Sequence, residues 1–159
     1  MSVLSKTSKP MLVNLAPDVV SRNWDTFSYY IAQNLPPTGV DGSLDRMYTA
    51  IMRRRANLWT LVRQTDENVS LLGVIVTTPV EDAIVGTRSL ELYSVFGVKN
   101  ITLDDWKQAY ETLKDHAKEL GCNVILGYTA VPVLCKVAKA LGGKADVRVI
   151  ELEVDDVQV

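Results

Sequence analysis

The stretch SVFGVKNITLDDWKQAY, residues 94–110, has the pattern that most directly raises a question of chemistry. A strand that turns into an amphipathic helix leaves backbone N–H groups at the helix N-terminus, where they can bind a phosphate or another anion. Thr102 and Asp105, however, have the spacing of a capping box, in which the two side chains bind N–H groups themselves. The turn therefore indicates a fold more clearly than it indicates an activity.

Three further groups of residues carry reactive or charged side chains, and each has a simpler structural interpretation. Arg53–Arg55 could bind nucleic acid or an acidic protein, but three cations that end a helix also complement its dipole, and Arg55 continues the buried stripe through its aliphatic stem. Cys135 could accept an acyl group, but it lies in an apolar helix with no neighbouring histidine, which favours a small core residue. His116, in the polar stretch DHAKE, is expected on a solvated helix face.

The composition is that of an ordinary soluble globular domain. The chain has 159 residues, of which 47% are hydrophobic and 23% charged, and its net charge of -2 gives no general attraction to nucleic acid or to an anionic membrane. Its two cysteines predict reduced thiols rather than a disulfide framework. The N-terminal MSVLSKTSKP lacks an apolar signal core, and no apolar run approaches 18 residues, so we expect a cytoplasmic protein.

Hydrophobic periodicity predicts one mixed α/β domain over residues 11–159, after a flexible segment at residues 1–10. Residues 79–87 are expected to form a loose connection between strands. Alternation along 88–97 predicts that Leu90, Leu92, Ser94 and Phe96 share one face and that Glu91, Tyr93 and Val95 share the other. The predicted elements are a strand at 11–15, helices at 17–35 and 44–55, strands at 58–65, 69–78 and 88–97, a helix at 103–120, a buried strand at 123–129, a helix from 132 to about 141, and a strand at 147–154.

This order, β-α-α-β-β-β-α-β-α-β, resembles the GCN5-related N-acetyltransferase (GNAT) superfamily over almost the whole chain. The strand RSLELYSVFG, the helix LDDWKQAYETLKDHAKELG, the strand NVILGYT and the helix PVLCKVAKALGG carry the resemblance most strongly, and AKALGG is similar to the family's YEKLGF helix end. The resemblance implies an α/β (α+β) fold with a mixed central sheet. It also implies a family chemistry in which acetyl-CoA acetylates an amine.

The cofactor loop of this family departs from its pattern here. Its signature, Q/R-x-x-G-x-G/A, lets backbone N–H groups surround the CoA pyrophosphate, whereas the corresponding GVKNITLDD has one glycine, Gly97. Ile101 and Leu103 are bulky where the family keeps the backbone bare. Asp104 and Asp105 would repel a pyrophosphate, at about 1 kcal/mol or more for each contact near 4 Å, and Lys99 offsets only part of this. We therefore expect this turn to be closed to phosphate.

The family's acid and base positions are also altered. The alignment of AKALGG with YEKLGF puts Ala138 at the tyrosine that protonates the departing thiolate, Val131 at the usual asparagine and Gly143 at the final aromatic. Tyr128 is near in sequence but does not match the motif. Glu91 is the one carboxylate in the right setting for a general base. The simpler interpretation is that Glu91 is an ordinary polar residue on an exposed face of the strand.

Two functions follow from these observations. The first is a non-catalytic GNAT-fold protein without a cofactor or metal, and without catalytic or binding residues of the family type. It would act through protein–protein contacts, resembling bacteriophage accessory proteins, in the host cytoplasm or the virion. Tyr29 and Tyr30 would suit such an interface with virion components or a second copy; membrane binding is excluded, and nucleic acid is the least expected partner.

The alternative is an acetyl-CoA-dependent N-acetyltransferase with an atypical loop. In that case Glu91 or water removes the proton from the acceptor amine, and backbone groups from Val95 to Lys99 hold the cofactor. The first function is the one that the loop sequence favours, so we expect no acetyl-CoA binding.

Overall fold

In the described part of the chain, residues with a period of two build a five-stranded sheet, β1 to β5, in the order of the chain. The first four strands are antiparallel, and β5 runs parallel to β4. The computed structural model describes residues 9–33, 42–98, 101–129, 132–145 and 152. The strands are β1 (Met11–Asn14), β2 (Asn57–Gln64), β3 (Val69–Asp82), β4 (Thr87–Gly97) and β5 (Val124–Gly127).

Within the described residues five helices lie against the sheet or follow it, and their order confirms the mixed α/β (α+β) prediction. The predicted strand at 147–154, the predicted helix end at Pro36–Pro37 and most of the segment 1–10 lie outside the described residues. Within the described residues, no helix is long and apolar enough to cross a membrane. The helices are α1 (Pro17–Arg22), α2 (Trp24–Ala32), α3 (Ser43–Met52), α4 (Leu103–Glu119) and α5 (Pro132–Ala140).

Each face of the sheet has its own hydrophobic core. The apolar stripe of α4, with Ala109, Leu113 and Ala117, packs on one face beside Trp59 and Leu90. The stripes of α1, α2 and α3 pack on the opposite face, around Leu58, Val74 and Val76. These stripes have the three- and four-residue spacing of amphipathic helices, although Leu103, which the same spacing predicts in the α4 stripe, is 41% exposed. The members contributed by the three helices are Val20, Phe27, Ile31, Met47 and Ile51.

The single helix predicted from Pro17 is in fact two helices that meet at Asn23. The backbone of Asn23 leaves the helical region, with φ -118° and ψ 19°. Its side-chain amide donates to the carbonyl oxygen of Val19 at 2.9 Å. An asparagine side chain that bonds nearby backbone groups competes with the helix, and this accounts for the break.

The hairpin of β3 and β4 is longer than predicted. Residues 79–82 and Thr87 belong to the ladder, where Glu81 pairs with Arg88 and Asp82 pairs with Thr87, so the prediction of a loose connection is wrong. The Asp82 carboxylate accepts the N–H groups of Ile84 and Val85 at 2.9 and 3.1 Å, which orders the turn. Residues 79–87, which the sequence predicts to be a loose connection, therefore form the end of an extended hairpin.

A β-bulge at Tyr93 changes the faces of β4. The ladder joins Val76 to Ser94 and Thr77 to Leu92, so Tyr93 is the additional residue on β4. Beyond it the alternation is inverted: Val95 packs with the α4 core, and Phe96 stacks on Tyr30 of α2 with ring centroids 5.3 Å apart. The predicted face containing Leu90 through Phe96 is therefore wrong after Leu92.

β5 and α5 are less buried than the sequence predicts. Val124 and Leu126 are 40% and 43% exposed, and no residue of α5 is fully buried. Among the described residues β5 has a partner strand on one side only, β4, which leaves its apolar side chains partly uncovered. Cys135 is half-buried, so it is not the fully buried core residue that its helix predicts.

The segment after α3 contains a left-handed residue that is not glycine. Arg54 has φ +58°, and the N–H of Arg55 bonds the carbonyl oxygen of Ala50 at 2.8 Å, a helix end that glycine usually forms. Arg53, Arg54 and Arg55 are all exposed. The prediction that Arg55 continues a buried stripe is wrong, because the helix ends at Met52 and the chain reverses direction after it.

The strain at Arg54 predicts that Arg54→Gly stabilises the fold. Glycine adopts positive φ without a steric cost, and this gain exceeds its larger entropy in the unfolded chain, so we expect the free energy of unfolding to rise by about 0.5–1 kcal/mol. The measurement is the midpoint of urea unfolding at constant m-value. Arg53→Gly is the matched control, because φ is -87° there, and it should destabilise. A lower midpoint for Arg54→Gly would contradict the prediction.

Candidate active site

The N-terminus of α4 has the capping box that its sequence predicts. Asp105 accepts the N–H of Thr102 at 3.1 Å, and the Thr102 hydroxyl accepts the N–H of Asp105 at 3.2 Å. The second carboxylate oxygen of Asp105 binds the guanidinium of Arg63 at 2.6 Å. Because the Asp105 side chain is only 4% exposed, this ion pair joins α4 to β2 in a part of the molecule that water hardly reaches.

The capping box does not occupy the whole turn. The N–H groups of Leu103 and Asp104 have no acceptor among the described residues, as expected for the first turn of a helix. Ile101 also does not obstruct the turn, since it packs against the α4 core, with its Cδ1 3.3 Å from the point where a Cβ on Gly73 would lie. The side chain of Ile101 therefore belongs to the core on the α4 face of the sheet.

β4 continues beyond its ladder with β5. The last pair of that parallel ladder joins Leu92 to Gly127, whereas β4 runs on to Gly97. The N–H of Val98 bonds Leu72 on β3, so the groups of Val95 and Gly97 alternate to the opposite side, where β5 runs. Strand edges of this kind bind extended amide-containing ligands through backbone hydrogen bonds.

Glu91 lies on the face of β4 that carries α1, α2 and α3. It pairs directly with Thr78 on β3, and directly opposed residues of an antiparallel pair project from the same face. Burial raises the pKa of the Glu91 carboxyl above its usual value. A carboxylate with a raised pKa is a better proton acceptor, so the simpler interpretation of a purely solvated strand residue does not describe its surroundings.

A cavity of about 390 Å³ opens beside Glu91 between α3 and the sheet. Thr78, the cross-strand partner of Glu91, lines it together with the bulged Tyr93, and Arg46 of α3 supplies a cation. The sequence analysis did not find this group, although Ser43, Arg46, Met47 and Ala50 have the i, i+3, i+4, i+7 spacing of a single helix face. The complete lining is Ser43, Arg46, Met47, Ala50, Ala56, Val76, Thr78 and Tyr93.

The other chemically notable residues lie apart from this cavity or are not described. His116 is not on a solvated face: its ring stands edge-on to Trp59 at 4.8 Å, and its buried Nε2 has no hydrogen-bond partner among the described residues. Tyr128 is 49% exposed, and Val131 lies outside the described residues. In the described part of the chain, no group of three His, Cys, Asp or Glu residues is arranged to hold a metal ion.

The fold has many counterparts among solved structures. No protein-family model matches the chain, and no curated protein matches it. The aminoglycoside N-acetyltransferase AAC(6')-Iy, in complex with the bisubstrate analog CoA-S-monomethyl-acetylneamine, superposes with a TM-score of 0.67 at 17% identity, over 94% of this chain and 100% of that one. The chain has the GNAT fold.

Two further structures with this GNAT fold have different named substrates. Ribosomal-protein-alanine N-acetyltransferase from Brucella melitensis biovar Abortus 2308 is 16% identical, with a TM-score of 0.63 over 92% of this chain and 100% of that one. Glucosamine-6-phosphate N-acetyltransferase from Arabidopsis thaliana is 14% identical, with a TM-score of 0.58 over 94% of this chain and 100% of that one. At these identities the likeness establishes the fold and leaves the substrate open.

These comparisons correct the expected function. The sequence analysis favoured a non-catalytic bacteriophage or virion protein that works through protein contacts, and this is wrong: the solved structures that share the fold are acetyltransferases, one of them in complex with CoA and one with a CoA-derived ligand. The error came from Thr102 and Asp105. Their capping box was read as closing the turn, although it engages only part of it and leaves the edge of β4 unaffected.

The Asp105–Arg63 pair predicts a large loss of stability in Asp105→Asn. The substitution leaves the partly buried guanidinium without its counter-charge and weakens the cap, so the free energy of unfolding should fall by about 2–4 kcal/mol. Asp104→Asn is the matched control, because Asp104 is exposed and interacts only with the helix dipole, worth about 0.3–1 kcal/mol. Equal effects of the two substitutions in urea unfolding would refute a structural role for the buried pair.

His116 predicts a dependence of stability on pH. Burial lowers the pKa of His116, against a smaller opposing effect of Glu119. Between that lowered pKa and 6.5 the unfolded chain binds more protons, so this contribution is complete above pH 6.5 and is lost as the pH falls. Urea unfolding from pH 5 to 8 should show a smaller loss on acidification in His116→Gln than in the wild type. Parallel curves would contradict the assignment.

Proposed function

We propose that this protein is an acetyl-CoA-dependent N-acetyltransferase that acts on an amine. The observation that supports it most directly is the arrangement on β4, where Glu91 faces the cavity side of the sheet and the backbone edge at Val95 and Gly97 follows within the same strand. An acceptor amine bound in the cavity would then lie next to β4, the strand whose edge at Val95 and Gly97 binds the acetyl donor. The GNAT fold and the CoA complexes of its structural counterparts support the same reaction.

The residues present fit the acetyl donor along this edge. The backbone groups of Val95 and Gly97 point away from β3, as the amides of an extended pantetheine arm require, and the N–H groups of Leu103 and Asp104 remain for an anionic group. Acetyl-CoA supplies an acetyl thioester, whose carbonyl carbon an uncharged amine can attack. The carboxylates of Asp104 and Asp105 repel the pyrophosphate of acetyl-CoA, so we expect the edge of β4 to contribute most of the binding free energy.

Glu91 accepts the proton that the amine must lose. As the amine nitrogen bonds to the acetyl carbon and the carbon–sulfur bond breaks, the Glu91 carboxylate would take the proton from nitrogen directly or through one water, and CoA would leave as a thiolate that takes a proton from solvent. Burial prepares this carboxylate, because the raised pKa brings it closer to that of the proton donor. Tyr93 and Thr78 border the cavity next to it and position the acceptor.

The proposal predicts that Glu91→Gln abolishes most catalysis without preventing donor binding. General base catalysis contributes about 10²–10⁴-fold, so kcat/KM for an amine should fall by about that factor, followed as release of the CoA thiol. Glu81→Gln is the matched control, because Glu81 lies on the same hairpin, is exposed, and should leave the rate unchanged.

Donor binding is measured separately. Acetyl-CoA at about 100 times its dissociation constant should stabilise the protein by about 2.7 kcal/mol, which appears as a higher melting temperature in the wild type and in Glu91→Gln alike. Absence of a shift at millimolar acetyl-CoA would refute the proposed function. A shift together with full activity of Glu91→Gln would instead refute the role of Glu91 alone.

A further inference from the structure

We infer that two copies of this chain form a two-fold symmetric dimer through the end of the sheet where β3 turns into β4. Each copy inserts the tip of this hairpin, within residues 79–86, into a recess beside the start of β2 in the other copy. The interaction surface is separate from the proposed reaction and does not depend on it. Its evidence is the shape, the apolar side chains and the charges at this end of the molecule.

The hairpin projects beyond the rest of the sheet. β2 begins at Asn57, which pairs with Thr77, whereas β3 continues to Asp82. At about 3.4 Å for each residue, these five further residues extend about 17 Å past the start of β2. The turn at the tip is ordered, because the Asp82 carboxylate accepts the N–H groups of Ile84 and Val85.

The tip of this hairpin exposes large apolar side chains. Ile84 is 96% exposed and Val85 is 69% exposed, and Val80 on the adjoining part of β3 is exposed as well. Single exposed apolar residues are common on protein surfaces, but these stand together on a backbone that is already ordered. Because little further ordering is needed when such a tip enters a partner, Ile84 suits the role of an anchor residue in an interface.

A recess of about 240 Å³ lies beside the base of the hairpin. Arg54 and Asn57 line it, and the Thr78 hydroxyl donates to the carbonyl oxygen of Arg55 at 3.1 Å, which joins this part of the chain to β3. The recess can therefore receive an apolar side chain next to a cation. Its apolar lining residues are Leu15, Ala16, Pro17, Ile51 and Ala56.

The recess and the hairpin carry opposite charges. The three side chains of Arg53–Arg55 are exposed, and none has an ion-pair partner among the described residues. The end of the hairpin carries the carboxylates of Glu81 and Asp82, and Arg88 offsets one of them through an exposed contact of 3.8 Å with Glu81. The hairpin end of one copy is thus attracted to the arginine segment of another.

A two-fold axis matches both features at once. Each contact occurs twice in such a dimer, so a surface is self-complementary when a projection and its matching recess lie side by side. The ladder with β4 keeps the hairpin extended to Asp82, which holds its tip away from the recess of its own copy. The tip therefore fits the other copy, with Ile84 among the apolar side chains of the recess and the hairpin carboxylates near Arg54.

Sedimentation velocity of the full chain, from micromolar to millimolar concentration, tests the dimer. We expect a dimer whose Kd rises about tenfold between about 50 and about 500 mM salt, because salt screens exposed charges. Ile84→Lys sets a cation against Arg54 and should raise Kd about 30-fold or more, the loss typical of an anchor residue. Val69→Lys is the matched control, since Val69 is 65% exposed at the opposite end of β3, and it should leave Kd unchanged.

A mixture of two variants tests whether the recess is the partner surface. Arg54→Glu should weaken the dimer, because the new carboxylate faces the acidic end of the hairpin. Equimolar Arg54→Glu and Ile84→Lys should form a heterodimer about as stable as the wild-type dimer: the introduced lysine faces the introduced glutamate in one contact, and the other contact keeps its native residues. Lys107→Glu, at an exposed position of α4, should not rescue Ile84→Lys in the same way.

Four results would overturn the inference. They are a wild type that stays monomeric at millimolar concentration, a dimer insensitive to salt, a dimer that Ile84→Lys leaves intact, and a mixture that remains monomeric. Thermal melting establishes that each variant is folded. If Arg54→Glu fails to fold, the comparison of Ile84→Lys with Val69→Lys still decides, because both substitutions are at exposed positions.

Discussion

The additional residue in β4 is the constraint on which the arrangement of the site depends. Before Tyr93 the strand alternates in step with β3, so Glu91 shares a face with Thr78; after it the alternation is inverted, and Phe96 comes to lie against Tyr30. One inserted residue thus places a carboxylate, a tyrosine ring and an aromatic stack on the same side of the sheet. Bulges of this kind commonly redirect side chains near active sites.

The two faces of the sheet differ in how completely they are packed. The α4 face is closed, with Trp59 hydrogen-bonded to Thr77 inside it and Asp105 paired with Arg63 at its edge. The opposite face contains the cavity, which Arg46 of α3 and Thr78 of β3 line among other residues. On the first face the buried carboxylate of Asp105 has a counter-charge within the fold, as a buried charge requires.

The sequence predicts the order of elements well, because the spacing of apolar residues reports which face of each helix and strand is buried. It predicts the capping box of Thr102 and Asp105 for the same local reason. The bulge is hidden, since residues 88–97 read as one uninterrupted alternating strand and the additional residue is defined only by the pairing with β3. Arg46 is equally hidden, because its cavity exists only where α3 crosses the sheet, a contact between residues far apart in the chain.

The pair of Arg63 and Asp105 also has a consequence for motion. Rotation of α4 about its axis, or translation along the sheet, would separate opposite charges in a place where water cannot replace the lost contact, so such displacements are costly. Displacement costs less on the other side, where α3 is short and borders the cavity. Any closure around a ligand would therefore be one-sided, with α3 moving toward a sheet that α4 supports from its opposite face.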